Sequence, residues 1–452
     1  MTPRPEKLTL APIARFQGEL ALPGSKSLSN RVLLLAALAQ GETVVDNLLD
    51  SDDVGVMLAA LEMLGVPIAR QPKAPQAQDT TDGPRWGSGP AESLRVTGRG
   101  GALNGGGRTL FLGNAGTAMR PLAAVLAAGA SAATLTGVPR MHQRPIGDLV
   151  EGLGQLGAAI GYLGQQGYPP LKIEGGGLAG GTARVKGTTS SQFLTALLLA
   201  APLARGPVEL AIADRLVSRP YVDMTRRLMA QFGVKVEEIQ GGEAPVYRVA
   251  APQTYRSPGR VLVEGDASTA SYFLAGAAIT GGRVRVTGVG SRSLQGDAQF
   301  AQVLEQMGAG VRWEEGAITV EGQGPLTGVD ADMVAMPDAA MTLAVAALFA
   351  RGETRIRGIA NWRVKETDRM AAVAAELERL GANTLVEEDT LTIFPPEKIR
   401  SADIQTYDDH RMAMAFSLAA CGGVPVTILD PLCVSKTFPE YFLALEKLTV
   451  RV

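Results

Sequence analysis

Gly113-Asn114-Ala115-Gly116-Thr117-Ala118-Met119-Arg120-Pro121, continuing into the apolar run 122–128, is the stretch from which the fold of this chain is read. Two glycines, an amide and a hydroxyl stand immediately before a helix-forming segment. Glycine lets the main chain come close to a ligand, and Thr117 is placed to cap the helix. Free N–H groups and the positive end of the helix dipole then favour an anion. Taken alone, such a turn is an ordinary helix start. Its weight comes from recurrence.

An apolar helix rich in Ala and Leu, then Gly or Pro, then a short β-branched strand occurs six times. The copies are 31–40 before 43–45, 119–128 before 133–136, and 192–204 before 208–212. The other three are 270–280 before 283–287, 340–350 before 354–356, and 411–420 before 425–428. Each is followed by an amphipathic helix with a glycine stop, such as Leu61-Glu62-Met63-Leu64-Gly65 or Leu377-Glu378-Arg379-Leu380-Gly381. The sixth such helix, 438–448, lacks the glycine. Starts at 31, 119, 192, 270, 340 and 411 lie 88, 73, 78, 70 and 71 residues apart, so six units account for the chain. Strands alternating with helices throughout make the class α/β or α+β. The segment 70–93, rich in Pro, Gln, Asp and Gly, reads as an exposed loop without chemistry.

Composition narrows the function. The 452 residues carry 43 Lys+Arg against 45 Asp+Glu, a formal charge of -2, which is not the basic footprint of a nucleic-acid binder. Cations that matter must therefore be local. Cys421 and Cys433 are the only cysteines, and His142 and His410 the only histidines, so neither a disulfide framework nor a metal site is expected. Residues 1–17 carry charges and prolines without the apolar core of a signal peptide, and no apolar run reaches the roughly 20 residues that span a bilayer. The expectation is a cytoplasmic enzyme.

Polar residues gather just before the helices. Before the first helices stand Pro23-Gly24-Ser25-Lys26-Ser27-Leu28-Ser29-Asn30-Arg31, Gly187-Thr188-Thr189-Ser190-Ser191-Gln192, Met336-Pro337-Asp338-Ala339-Ala340 and Tyr407-Asp408-Asp409-His410-Arg411. Before the second stand Arg140-Met141-His142-Gln143-Arg144-Pro145, Leu216-Val217-Ser218-Arg219-Pro220-Tyr221 and Asn361-Trp362-Arg363-Val364-Lys365-Glu366-Thr367-Asp368-Arg369, with Ser435-Lys436-Thr437 last. Helix N-termini plus Lys26, Arg31, Arg120, Arg144, Lys365, Arg369, Arg411 and Lys436 suit a ligand bearing several phosphates or carboxylates. For Asp338 a helix cap is the bland reading. In a cationic setting Asp338, Glu366 and His410 are also the groups that move protons. Gly24-Ser25-Lys26-Ser27 fails the Walker-A test, lacking the Gly-Lys-Ser order. The residues alone lead to an enzyme acting on small polyanions and leave the reaction open.

At these loops the chain closely resembles the 5-enolpyruvylshikimate-3-phosphate synthases, the enolpyruvyl transferases of the shikimate pathway. The match is densest at 22–31, 112–122, 140–147, 361–369 and 409–412, with Lys436-Thr437-Phe438-Pro439 near the end. The resemblance implies two similar domains, each of three βαβαββ units in an inverted α/β barrel arrangement, with the active site in the cleft between them. The domains would be 25–264, and 1–24 with 265–452, the two crossings forming a hinge that closes on substrate. It implies transfer of the enolpyruvyl group of phosphoenolpyruvate to the 5-hydroxyl of shikimate 3-phosphate through a tetrahedral intermediate. No metal or organic cofactor is needed.

Carried over residue by residue, shikimate 3-phosphate is expected on Lys26, Ser27, Arg31, Ser190, Ser191, Gln192, Ser218, Tyr221, Asp338, Asn361 and Lys365. Phosphoenolpyruvate is expected on Lys26, Asn114, Gly116, Thr117, Arg144, Gln192, Arg369, Arg411 and Lys436, with Arg120 in support. Asp338 would accept the hydroxyl proton, Glu366 would supply one, and Lys26 would assist. His410 stands among the catalytic candidates, and His142 does not. Members with this Gly-Asn-Ala-Gly-Thr-Ala-Met-Arg-Pro form are generally inhibited by glyphosate, in competition with phosphoenolpyruvate. A monomer with small-molecule substrates and neither nucleic-acid nor membrane partners is implied. The related transferase acting on UDP-N-acetylglucosamine would carry a reactive cysteine in the 140–144 loop, where this chain has none. A non-catalytic anion-binding scaffold would leave Asp338 and Glu366 without a purpose.

Overall fold

The computed structural model describes residues 6–71, 93–241 and 244–451. Among them are twelve α-helices: α1 Lys26–Leu38, α2 Asp52–Met63, α3 Gly116–Ala127, α4 Gly147–Gln155, α5 Ser191–Ala200 and α6 Arg219–Gln231. The rest are α7 Ala267–Thr280, α8 Phe300–Gln306, α9 Ala340–Ala346, α10 Arg369–Arg379, α11 His410–Phe416 and α12 Tyr441–Leu448. The described residues form two compact units, one of 25–71 with 93–263 and the other of 6–24 with 264–451.

The first five repeats each run strand, helix, strand, helix, strand, strand, and the sixth lacks the last strand. In the second repeat Thr109–Phe111 pairs parallel with Ala133–Thr136, which pairs antiparallel with Leu171–Ile173, and Ile160–Tyr162 closes the edge. The third and fifth repeats show the same order, with Gly181–Val185 parallel to Val208–Ile212 and Asp330–Asp332 parallel to Thr354–Arg357. A parallel pair needs a crossover, and the odd-numbered helices α3, α5 and α9 supply it. Past their polar first turns these crossover helices are apolar, because they are buried nearly all round. Leu33, Leu34 and Leu35 of α1 are all fully enclosed, and α3 packs on both α1 and α5. In the other unit α9 packs on α7 and α11.

The even-numbered helices are half-exposed, and all but α12, which runs into extended Thr449, end alike. Gly65, Gly157, Gly233, Gly308 and Gly381 all take positive φ, between +79° and +104°. The N–H of the following residue reaches back to the carbonyl five positions earlier, as in Val66 to Leu61 (3.0 Å) and Ala382 to Leu377 (3.1 Å). This is the Schellman closure, which only glycine enters without a Cβ penalty.

The first and fourth repeats hold a topological exchange. Ile13–Ala21 precedes α1 in the chain, yet pairs parallel with Arg283–Thr287, the strand after α7. Arg260–Leu262 precedes α7, yet pairs parallel with Glu42–Asp46, the strand after α1. Lys7–Leu10 lies antiparallel to Val426–Leu429, in the place of the missing final strand of the sixth repeat.

Three sequence readings change. Arg70 and Ser93, read as the ends of a loop, belong to the paired strands Ile68–Gln71 and Ser93–Thr97, and residues 72–92 lie outside the described set. The helices read as 340–350 and 411–420 give way to 3-10 turns after Ala346 and Phe416. Thr117 caps nothing. The position before α3 is Ala115, and the Thr117 hydroxyl accepts a hydrogen bond from Asn30 Nδ2 (2.7 Å). No helix among the described residues is long and apolar enough to cross a membrane.

Candidate active site

In the unit of 264–451 the loops before α9, α10 and α11 bring three carboxylates and three cations into one lattice. Arg369, the first residue of α10, is 1% exposed and donates through Nε to Asp409 Oδ2 (2.7 Å) and through Nη2 to Asp409 Oδ1 (3.3 Å). Its Nη1 reaches Asp338 Oδ1 (2.8 Å) and its Nη2 reaches Glu366 Oε2 (3.0 Å). Arg411 Nη2 holds the other Asp338 oxygen (3.0 Å) while Nη1 donates to Tyr272 Oη (3.2 Å), and Lys365 Nζ lies 3.5 Å from Asp338 Oδ1. Arginine serves here because its planar fork meets several carboxylate oxygens at once.

Asp338 is therefore not a helix cap. The N-cap of α9 is Ala339, and no side chain caps it. Burial alone would raise the Asp338 carboxyl, but Arg411, Lys365 and Arg369 outweigh it and hold the group well below the usual carboxylate range. Trp362 fixes the loop geometry by donating its indole N–H to the Pro337 carbonyl (2.7 Å). Lys436 is buried at the end of the 3-10 turn Pro431–Lys436. His410 opens α11 and is wholly enclosed, with Nδ1 3.3 Å from Asp409 Oδ1.

The unit of 25–263 assembles differently. Lys26 Nζ lies 3.4 Å from Asp53 Oδ2, both nearly buried. Arg144 Nη1 donates to the main-chain (2.9 Å) and side-chain (3.0 Å) oxygens of Asn114, and Arg120 Nη2 donates to the Pro145 carbonyl (3.2 Å). Gly116 lies against both guanidinium groups: a Cβ there would press on Arg120 Nη1 and stand 2.9 Å from Arg144 Nη2. Its missing side chain is what lets the two cations sit side by side. Arg31 Nε donates to Thr225 Oγ1 (2.8 Å) and Nη1 to the Ser27 carbonyl (2.8 Å); burial lowers this guanidinium to about 10, still cationic at neutral pH.

Ser190 caps α5 by accepting from Gln192 N (3.2 Å), beside buried Ser191. Ser218, buried at φ +53°, starts the turn into α6, where Tyr221 is half-buried. The side-chain oxygens of Gln192 and Asn361 are shielded from solvent and accept no hydrogen bond among the described residues. Buried acceptors of this kind can take a donor from water or from a ligand. His142 is tied to Thr136 Oγ1 (3.1 Å), and burial pushes the thiols of Cys421 and Cys433 up.

Sequence reasoning missed Asp409, Asp53, Asn30 and Tyr272. Asp409 had a legible signal. It stands directly before an apolar helix, where an acid caps, and its carboxylate does accept from Arg411 N (3.0 Å) as well as from Arg369. Asp53 sits where the second helix of the first repeat begins, the position at which the other repeats carry their polar loops.

Compared with known proteins, residues 10–445 match the family model described as EPSP synthase (3-phosphoshikimate 1-carboxyvinyltransferase). A 3-phosphoshikimate 1-carboxyvinyltransferase of Xenorhabdus nematophila is 55% identical over 98% of this chain and 99% of its own. A chloroplastic one of Solanum lycopersicum is 53% identical over 98% of this chain and 85% of its own. Among solved structures, the EPSP synthase of Acinetobacter baumannii superposes with a TM-score of 0.77 at 27% identity, covering 98% of both chains. The enolpyruvyl transferase NikO of Streptomyces tendae shares the fold, with a TM-score of 0.75 at 19% identity.

Proposed function

The chain belongs to the EPSP synthase family, and we propose that the residue sets assembled above carry out the reaction of that family. The activity is enolpyruvyl transfer in the shikimate pathway, toward chorismate and the aromatic amino acids. The 5-hydroxyl of shikimate 3-phosphate adds to C2 of phosphoenolpyruvate, and phosphate departs. The two substrates carry two phosphates and two carboxylates between them, which accounts for the concentration of cations.

Lys26, Ser27, Arg31, Ser190, Ser191, Gln192, Ser218, Tyr221, Asn361 and Lys365 are assigned to shikimate 3-phosphate, with Asp338 at its 5-hydroxyl. Lys26, Asn114, Gly116, Thr117, Arg144, Gln192, Arg369, Arg411 and Lys436 are assigned to phosphoenolpyruvate, with Arg120 behind Gly116. Orphaned acceptors on Gln192 and Asn361 support hydroxyl recognition.

The observation that carries the chemistry is the lattice around Asp338. A carboxylate gripped by three cations is a weak base. An incoming phosphate or carboxylate competes for Arg369, Arg411 and Lys365, and each contact it takes raises the basicity of Asp338. Addition forms the C2–O bond while the hydroxyl proton passes to Asp338 and a proton reaches the methylene carbon from Glu366, with Lys26 assisting. Elimination removes a proton from that carbon and breaks the bond to phosphate, whose developing charge the cations stabilise. His410, fully enclosed, acts through Asp409. The enzyme works as a cytoplasmic monomer in this reading.

Purified protein should release inorganic phosphate only when both shikimate 3-phosphate and phosphoenolpyruvate are present. Release with UDP-N-acetylglucosamine in place of shikimate 3-phosphate would reverse the assignment.

A further inference from the structure

Helix α10 begins at Arg369 and carries, two turns on along the same face, a second buried charge that the reaction does not use. Glu376 is fully enclosed. Its Oε1 accepts the hydroxyl of Tyr407 (2.8 Å), and its Oε2 accepts Gln405 N (3.3 Å) and Arg379 Nε (3.0 Å). One helix therefore holds the segment leading into α11 at two points: Arg369 on Asp409, and Glu376 on Tyr407 and Gln405.

What lies between those points is unusual backbone. Tyr407 and Asp408 both have positive φ, +54° and +55°. Left-handed backbone is costly for any residue with a Cβ, and more so for an aromatic one in a consecutive pair. It persists only where the surroundings overdetermine it. Burial of the ring does not do so here, since Tyr407 is 41% exposed. Its hydroxyl is the anchored part. After the two left-handed residues the chain returns to extended backbone at Asp409, which caps α11 and holds Arg369, and α11 then directs Arg411 onto Asp338.

We propose that Glu376 and Tyr407 are positioning residues for the phosphoenolpyruvate anion: their hydrogen bond holds the left-handed turn at 407–408 and so sets the aim of Asp409 and Arg411. Burial and the bond to Glu376 push the Tyr407 phenol up to about 12, so it stays a donor throughout the neutral range. This rests on the assignment of Arg369 and Arg411 to phosphoenolpyruvate, which wild-type turnover tests separately.

The test is a steady-state series on the full chain. Tyr407→Phe, which removes one oxygen and leaves the ring, should raise KM for phosphoenolpyruvate about tenfold, the scale of one lost hydrogen bond to a charged acceptor. KM for shikimate 3-phosphate should stay within about twofold of wild type, because Lys26, Arg31 and Ser190 are untouched. Tyr407→Asn also lacks the phenol, but asparagine tolerates left-handed backbone, so it should recover most of the lost affinity. Glu376→Gln keeps an acceptor for the phenol and should fall between wild type and Tyr407→Phe. A purely structural role predicts lower thermal stability in Tyr407→Phe with both KM values unchanged, and that result overturns the proposal. So would a Tyr407→Asn variant no better than Tyr407→Phe, or equal rises in both KM values. If Tyr407→Phe fails to fold, Tyr407→Asn and Glu376→Gln decide by the same split in KM.

Discussion

The two units are built from the same repeat, yet the arginines at their helix starts rest on different acceptors. In the unit of 264–451, the N-termini of α7 and α11 are capped by the carboxylates of Asp266 and Asp409, and Arg369 and Arg411 are bound to Asp338, Glu366 and Asp409. In the unit of 25–263, no side chain caps α1 or α3, the hydroxyl of Ser190 caps α5, and the guanidinium groups of Arg120 and Arg144 rest on neutral carbonyl and amide oxygens. A carboxylate partner offsets an arginine's charge where a carbonyl only orients it, so an anion binding at Arg369 or Arg411 competes with Asp338, Glu366 and Asp409.

The largest effect should come from breaking the balanced side. Asp338→Ala should lower kcat by about 10²- to 10⁴-fold, the range for a lost general base, while shikimate 3-phosphate still binds by calorimetry. Near-normal turnover would remove the base role. Arg369→Met should lower stability by about 3–5 kcal/mol in denaturant unfolding, because it leaves Asp409 and Glu366 buried without their cation. A loss below 1 kcal/mol would show that the lattice rearranges to re-pair them.

The neutral-oxygen side should respond through affinity. Gly116→Ala should push Arg120 and Arg144 apart, raising KM for phosphoenolpyruvate about tenfold and the glyphosate inhibition constant with it. An unchanged inhibition constant would count against placing the inhibitor beside Gly116. A subtler contrast is in pH. A carboxyl depressed in the folded protein, as Asp338 is, contributes stability above its unfolded pKa and loses it as pH falls through the folded value. The stability difference between wild type and Asp338→Asn should therefore shrink on acidification below about pH 4. A difference that widened there would reverse the sign of the argument.

The smallest effect belongs to what the units share. Gly65 in one unit and Gly308 in the other have positive φ, with nothing near the position a Cβ would take. Alanine at either should cost about 1 kcal/mol, and the same at both, since only backbone conformation changes. Unequal costs would mean the two scaffolds are less alike than their repeats.

Local physics explains how much was legible from the chain itself. The six crossover helices, the amphipathic partners and the glycine stops were readable because apolar periodicity and positive φ are properties of a few neighbouring residues. The cation-bearing loops were readable for the same reason, as they stand at helix starts. Asp338 was singled out, but a helix cap was as good an account of it until its partners were known.

Tertiary structure alone decided the exchange of the strands Ile13–Ala21 and Arg260–Leu262, whose partners lie more than 200 residues away and leave no local trace. It also decided which acceptor meets which arginine: the Asp409 carboxylate to Arg369 across 40 positions, and the Thr225 hydroxyl to Arg31 across 194. Sequence by itself determined where helices begin, where they stop and which loops carry charge, because those follow from side-chain pattern within a turn or two. Whether a given charge is cancelled or left to act depends on its distance from groups remote in the chain, and only the folded chain sets that distance.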